Sequence, residues 1–114
     1  MNSLNDASRL QHMLDAAEKS QTFLWNHTRA DLDTDEMLRL AVMKLIEIVG
    51  EAASRTTPEF RVNHPEIPWR EVISMRNRLT HGYFEVNLDI LWNIVKNDIP
   101  PLITSLRSIL EFLP

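Results

Sequence analysis

The chain has 114 residues, 44% of them hydrophobic, and it contains no cysteine. This length predicts a single domain over residues 1–114, and the lack of cysteine excludes a disulfide framework and zinc–thiolate sites. Twelve Lys and Arg against 16 Asp and Glu give a net charge of −4. This balance excludes RNA binding through the overall charge of the protein, so any RNA contact must be local.

No apolar run approaches the roughly 18 residues that a membrane span needs. The polar segment Met1–Gln11 lacks the apolar region of a signal peptide. We therefore expect a cytoplasmic protein without membrane contact.

The first half of the chain predicts two helices. The first spans about Asn5 to Thr28, with apolar residues at helical spacing. The second begins after Asp33, which can cap it together with Glu36. Its apolar residues form two stripes, one of Leu38, Ala41, Val42, Leu45, Val49 and Ala52, the other of Met37, Leu40, Met43, Ile46 and Gly50. A helix with two apolar faces has two neighbours, and a second copy of the chain is a candidate for one of them.

A proline-rich connector leads into the second half. Thr56 to Pro68 is expected to be irregular, with one short helical turn at Pro58–Phe60. A third helix is predicted from Trp69 to His81. Gly82 follows it in the position where a left-handed C-terminal cap is common.

The fourth helix completes the predicted fold. It starts near Asn87 and keeps one helical phase to Ile109, past Pro100-Pro101, which indicates one long helix with a kink. The chain is therefore expected to be all-α, an antiparallel four-helix bundle with a short extra helical turn and a Pro-kinked last helix. No Gly-rich phosphate loop is present, which argues against a nucleotide-binding fold. The core is expected to include Trp25, Trp69 and Trp92.

The segment Arg76-Asn77-Arg78-Leu79-Thr80-His81-Gly82-Tyr83 concentrates groups suited to metal-free cleavage of an RNA phosphodiester. Arginine binds phosphate through a bidentate, permanently charged fork, and histidine exchanges a proton near neutral pH. Arg76 and His81 are therefore the candidate catalytic pair. Asn77 lies four residues before His81 on the same helix face and can orient the imidazole or hold a phosphate oxygen. Arg78 points elsewhere and is a candidate contact to the substrate backbone.

These residues also have plainer interpretations. A lone histidine at a helix end is often a cap or a surface residue, and Arg76 can form an ion pair with Glu47 or Glu51 of the second helix. Both interpretations can hold together, because a catalytic arginine also needs an orienting partner, for which Glu51 is a candidate. Tyr83 is either a core or interface aromatic or a phenol that binds RNA or is modified. None of the four histidines lies at a metal-ligand spacing, so we expect no metal and no cofactor.

The chemistry itself favours a homodimer. Attack by a 2′-hydroxyl needs a base for that hydroxyl, an acid for the leaving 5′-oxygen and positive charge on the phosphorane. One chain offers one good histidine in the motif, whereas a two-fold dimer through this helix would bring two histidines and several arginines into one cleft.

The chain resembles a HEPN-domain ribonuclease of the HepT-like toxin family. Four segments carry the resemblance: Ile46–Ala53, His64–Trp69, Met75–Phe84 and Ile99–Leu102. The resemblance implies an all-α bundle that dimerises around the motif and acts as a metal-independent endonuclease on RNA, such as tRNA or mRNA. Such proteins serve as toxins of toxin–antitoxin modules. Carried over residue by residue, Arg76 and His81 are catalytic and Asn77 is supportive.

The resemblance also implies a partner. A cognate antitoxin, a minimal nucleotidyltransferase of the MntA type, silences the toxin by adding AMP to the motif tyrosine, here Tyr83. An AMP at this position would set a bulky anion beside the arginines and repel the substrate phosphate. The alternative function is a non-catalytic HEPN binding module that partners a nucleotidyltransferase, with Arg76 and His81 retained for the fold or an interface. A third possible interpretation is a plain helical dimer without a ligand.

Overall fold

The computed structural model describes residues 2–81 and 85–113. The main helices are α1 (Asn2–Leu24), α3 (Glu36–Ser54) and α8 (Ile99–Phe112). The shorter helices are α2 (Asp31–Thr34), α4 (Pro58–Asn63), α5 (Trp69–Ile73), α6 (Met75–Leu79) and α7 (Leu88–Asn93), and a π-helical turn (Ile94–Asp98) joins α7 to α8. Two short strands, β1 (Thr80–His81) and β2 (Glu85–Val86), pair antiparallel, with Thr80 opposite Val86 and His81 opposite Glu85.

The helices share one core, which confirms the predicted all-α bundle. α1 packs against α3 and α8, and α3 packs against α5 and α6. Aliphatic side chains from all of these segments are fully buried, among them Leu10, Met13, Ile46, Met75, Leu79, Leu91, Ile99 and Leu106. Each contributes about 1.5–3 kcal/mol by leaving water. No helix in the described ranges is long and apolar enough to cross a membrane.

The boundaries of the first two helices differ from the prediction. α1 ends at Leu24, four residues early, because Asn26 adopts a positive φ of 64° and turns the chain. The expected cap Asp33 is wrong. It lies inside α2, which buries Leu32. The chain restarts at Asp35, whose Oδ1 accepts a 3.0 Å hydrogen bond from Leu38 N and caps α3.

The predicted third helix, Trp69 to His81, is wrong in two places. It breaks at Ser74 between α5 and α6, and it ends at Leu79. The break lies where α3 comes closest: a Cβ added to Gly50 would meet Val72 O at 3.2 Å and Ile73 O at 3.3 Å. The end is fixed by the β1–β2 pair and by Asn87 N, which donates to Leu79 O at 2.7 Å. The predicted cap at Gly82 lies outside the described residues.

The other elements agree more closely with the sequence prediction. The extra helical turn is present as α4, capped by Thr57. Asn87 caps α7 through its Oδ1, which accepts from Ile90 N at 3.1 Å. The last helical segment runs unbroken from Leu88 to Phe112, as predicted, with the π turn directly before Pro100-Pro101. Because proline has no N–H to donate to the preceding turn, the helix widens there.

Some apolar residues remain outside the core. Trp25 was expected to be buried, yet it is 80% exposed, while Trp69 and Trp92 are half-buried. The second stripe of α3 is divided: Ile46 and Gly50 pack against neighbouring elements, whereas Met37 and Leu40 are 83% and 55% exposed. The first turns of α3 therefore carry an uncovered apolar face.

Candidate active site

A cleft of about 310 Å³ opens between α1, α3 and α6. We call it the basic cleft. α1 contributes Arg9 and His12, α6 contributes Arg76, and α3 with its C-terminal cap contributes Lys44, Glu47, Ile48, Glu51, Ala52 and Arg55. The α3 residues recur at intervals of three and four, which places them on one face of the helix.

The basic cleft is locally positive in an acidic protein. Four permanent cations line it against two carboxylates, although the whole chain has a net charge of −4. One carboxylate is already paired, since Glu51 Oε1 accepts from Arg55 Nε at 3.1 Å. The remaining positive charge suits an anion the size of a phosphate, and arginine forks hold phosphate with fixed geometry.

Arg76 faces this cleft from the first turn of α6 and is exposed. The structure brings it together with Glu47 and Glu51, the two carboxylates that the sequence suggested as its neighbours. Across the part of the chain that is described, neither carboxylate forms an ion pair with Arg76 within 4.0 Å, and Glu51 binds Arg55 instead. As far as the described residues go, the Arg76 guanidinium is thus available to a ligand.

The rest of the motif is described in part. Asn77 is exposed on α6. Its expected helical relation to His81 is wrong, because α6 ends at Leu79 and His81 belongs to β1. The structure places the backbone of His81 two residues beyond the helix but does not describe its side chain. Tyr83 lies outside the described residues.

Arg78 lies on the other side of α6. Its Nη2 donates to Asp98 Oδ2 at 3.1 Å, and its Nε is buried without a hydrogen-bond partner among the described residues. It lines a second cleft of about 250 Å³, which we call the acidic cleft because Glu66, Glu71 and Asp98 also line it. Arg78 therefore has a structural partner, and its contact to substrate stays a prediction.

Sequence reasoning missed four of the nine residues that line the basic cleft. Arg9 and His12 come from α1, Lys44 comes from the middle of α3, and Arg55 caps the C-terminal end of α3. Lys44 and Arg55 could have been found, because Lys44, Glu47, Glu51 and Arg55 repeat at helical spacing as one charged stripe. Nothing local connects α1 to the motif. Among residues 2–81 and 85–113, no three His, Asp or Glu side chains gather as a metal-ligand set.

Other charged contacts lie elsewhere on the protein. The backbone N–H of Thr28 and the ring of His27 both bond the Asp31 carboxylate and hold its pKa below the ordinary value of 3.8. A hydrogen bond to Asp89 raises the pKa of the Arg29 guanidinium. Both groups lie near the connection between α1 and α3, so they stabilise that turn.

Comparison with known proteins gives one consistent family. Residues 13–109 match the family model described as Ribonuclease HepT-like. A relative from Thermococcus cleftensis named "Probable ribonuclease HepT" is 40% identical over 82% of this chain and 84% of its own length. A candidate RNase of Caldanaerobacter subterraneus subsp. tengcongensis is 34% identical over 90% of this chain and 91% of its own length.

A longer relative also matches. A protein of Methanocaldococcus jannaschii, named as a gamma-glutamylcyclotransferase and candidate RNase, is 38% identical over 91% of this chain. The match spans 47% of that relative. No solved structure gives a significant match.

Proposed function

Because the chain belongs to the HepT-like ribonuclease family, it is a ribonuclease, and we propose that it cuts RNA as a metal-independent endonuclease in the basic cleft. One observation carries the proposal: Arg76, which the motif predicts to be catalytic, faces a net positive cleft in a net negative protein. A ribonuclease needs its positive charge where the phosphate binds.

In the proposed reaction Arg76 holds the scissile phosphate and stabilises the charge that develops on its non-bridging oxygens. The 2′-hydroxyl attacks phosphorus, and the bond to the 5′-oxygen breaks. His81 takes part in the proton transfers. Asn77, exposed beside Arg76 on α6, donates to a phosphate oxygen. The products are a 2′,3′-cyclic phosphate and a 5′-hydroxyl. Glu51 helps to orient the cationic side chains through Arg55.

The proposal includes a homodimer. The side chains of Met37 and Leu40 are 83% and 55% exposed and form an apolar face on α3. Exposed apolar area of this kind is typical of an interface, and a two-fold axis would make the contact self-complementary. A sedimentation mass that stays monomeric at micromolar concentration would count against it.

We further propose that the protein is the toxin of a toxin–antitoxin module. Its antitoxin would be an MntA-type nucleotidyltransferase that adds AMP to Tyr83. The support is chemical: an added AMP carries a negative charge and would compete with RNA phosphate for the cations of the basic cleft. Co-expression with such a nucleotidyltransferase should add adenylyl mass to the wild type but not to Tyr83→Phe.

The deciding experiment is cleavage of a total tRNA and mRNA mixture in excess EDTA. Wild type is compared with His81→Ala, and His27→Gln is the matched control, since His27 pairs with Asp31 outside the basic cleft. We expect cleavage by wild type and by His27→Gln, and none by His81→Ala. No cleavage by wild type, with an intact mass that shows Tyr83 unmodified, would replace the proposal with the non-catalytic binding module.

A further inference from the structure

The histidines of this chain differ in their surroundings. His27 Nδ1 lies 2.9 Å from Asp31 Oδ2, and the His64 ring packs on Phe60 with 4.3 Å between the ring centroids. Both contacts are local and hold turns together. His12 is different, because it is exposed in the middle of α1 and lines the basic cleft.

We propose that His12 is the second proton-transfer group of the RNA cleavage, acting together with His81; this inference rests on the ribonuclease reaction proposed above. One imidazole accepts the proton of the 2′-hydroxyl as its oxygen bonds to phosphorus. The P–O5′ bond breaks, and the imidazolium of the other residue gives its proton to the departing 5′-oxygen. One proton is taken up and one is released, so the step needs no further reactant.

Arg76 connects the motif to the cleft that contains His12. It lines the basic cleft together with His12, and His81 follows it by five residues along the chain. A phosphate held by Arg76 would therefore lie in the same cleft as the His12 imidazole.

The position of His12 is well fixed. Leu10 and Met13, its neighbours on α1, are fully buried in the core, so the backbone at His12 cannot move without disturbing the bundle. The charged groups that share its cleft are Arg9 on α1, Arg76 on α6, and Lys44, Glu47 and Glu51 on α3 with Arg55 at its C-terminal cap. These cations bring a phosphate within reach of the imidazole. His12 also lies just before residues 13–109, so the family match does not assign it a role.

The test is a pH profile of kcat and KM for His12→Gln in EDTA, beside wild type, His81→Ala and the control His27→Gln. We expect kcat of His12→Gln to fall by about 10²- to 10⁴-fold with a nearly unchanged KM, as for a lost general acid or base. One limb of the bell-shaped profile should disappear. Because His12 is exposed, the variant should keep its helicity.

A modified substrate identifies which proton His12 transfers. RNA with sulfur in place of the scissile 5′-oxygen has a leaving group that departs without a proton. If His12 is the acid, His12→Gln cleaves this RNA as fast as wild type does. If His12 is the base, the loss remains and the acidic limb is the one that disappears.

The outcomes separate this inference from the proposed function. If wild type cleaves, His81→Ala does not, and His12→Gln retains the wild-type kcat and both limbs, His12 has no proton-transfer role and only this inference fails. A rise in KM alone would make His12 a binding residue and would also overturn it. If wild type does not cleave RNA, the inference falls together with the proposed function.

Discussion

The two clefts beside α6 have opposite charge. The basic cleft has four permanent cations against two carboxylates, and the acidic cleft has one arginine against three carboxylates. Arg76 and Arg78 are two residues apart on a helix of five, so they point into different clefts. One arginine faces solvent among other cations, while the other is bound to Asp98.

The difference shows that an arginine-rich motif need not act as one unit. A cation among cations is held there at an electrostatic cost, which a bound anion relieves. A cation among carboxylates is already neutralised, and its loss is felt by the fold. Residue type alone therefore does not distinguish Arg76 from Arg78, whereas the charge of the surrounding cleft does.

The largest expected effect tests the basic side. Arg76→Met should lower kcat/KM for RNA by about 10²- to 10³-fold, as for removal of one donor that stabilises a transition-state charge, while the melting temperature changes little because Arg76 is exposed. Arg70→Met is the matched control, an exposed arginine on α5 that does not line the basic cleft. Equal activity of the two variants would remove Arg76 from the site.

The next prediction tests the close approach of α3 to α5, the helix directly before α6. In Gly50→Ala the added Cβ would lie 3.2 and 3.3 Å from two backbone carbonyls of α5. Overpacking costs about 1–3 kcal/mol and a better helix former regains about 1 kcal/mol, so we expect a net loss of about 1 kcal/mol by denaturant unfolding and a reduced cleavage rate. Ser54→Ala, exposed on the same helix, controls for helix propensity. A Gly50→Ala protein that is more stable than wild type and fully active would show that α5 accommodates the added methyl group.

A smaller effect is expected at the acidic cleft. The Arg78–Asp98 pair is 37% exposed at both side chains, so a double-mutant cycle should give a coupling of about 1 kcal/mol or less. Asp98→Ala should destabilise more than Arg78→Met, because the first leaves a partly buried guanidinium without its partner. If Arg78→Met instead weakens RNA binding and Asp98→Ala does not, the predicted substrate contact of Arg78 is correct.

The smallest expected effect concerns the exposed ion pair between His27 and Asp31, neither of which lines the basic or the acidic cleft. Since the pKa of Asp31 is lowered in the folded protein, its carboxylate stabilises the fold above pH 3.8, and this stabilisation is lost as the pH falls through the lowered pKa. Asp31→Asn should melt slightly below wild type at pH 5 to 7, and the gap should close in acid. Asp15→Asn, which changes an exposed carboxylate on α1, is the matched control.

Much of the fold could be predicted because its causes are local. Burial of one helical stripe fixes the phase from Leu88 to Ile109, and Asn87 is a strong cap at the start of that stripe. The errors have long-range causes. Asp33 and Asp35 are equally good caps locally, and the burial of Leu32 decides between them. The break at Ser74 depends on the close approach of Gly50 from another helix.

The candidate site also has a part with local causes and a part with long-range causes. Arg76 could be predicted because the whole motif, with its residue types and spacing, lies within eight residues. His12 is 64 positions earlier in the sequence, and only the packing of α1 on α3 brings it to the same cleft. A site assembled from three helices can be predicted one helix at a time, but the residues that complete it require the fold.

If RNA is cut in the basic cleft as proposed, the cleft also determines how RNA arrives. An acidic surface repels a polyanion from most directions, while the positive cleft attracts it, so productive encounters are selected by orientation before any contact forms. RNA that binds the four cations of the cleft releases few counterions, about 0.7 for each phosphate contacted on a single strand. The affinity for RNA therefore falls only slowly as the salt concentration rises. Rising ionic strength weakens the attraction and the surrounding repulsion together, which lets such an enzyme work over a broad range of salt.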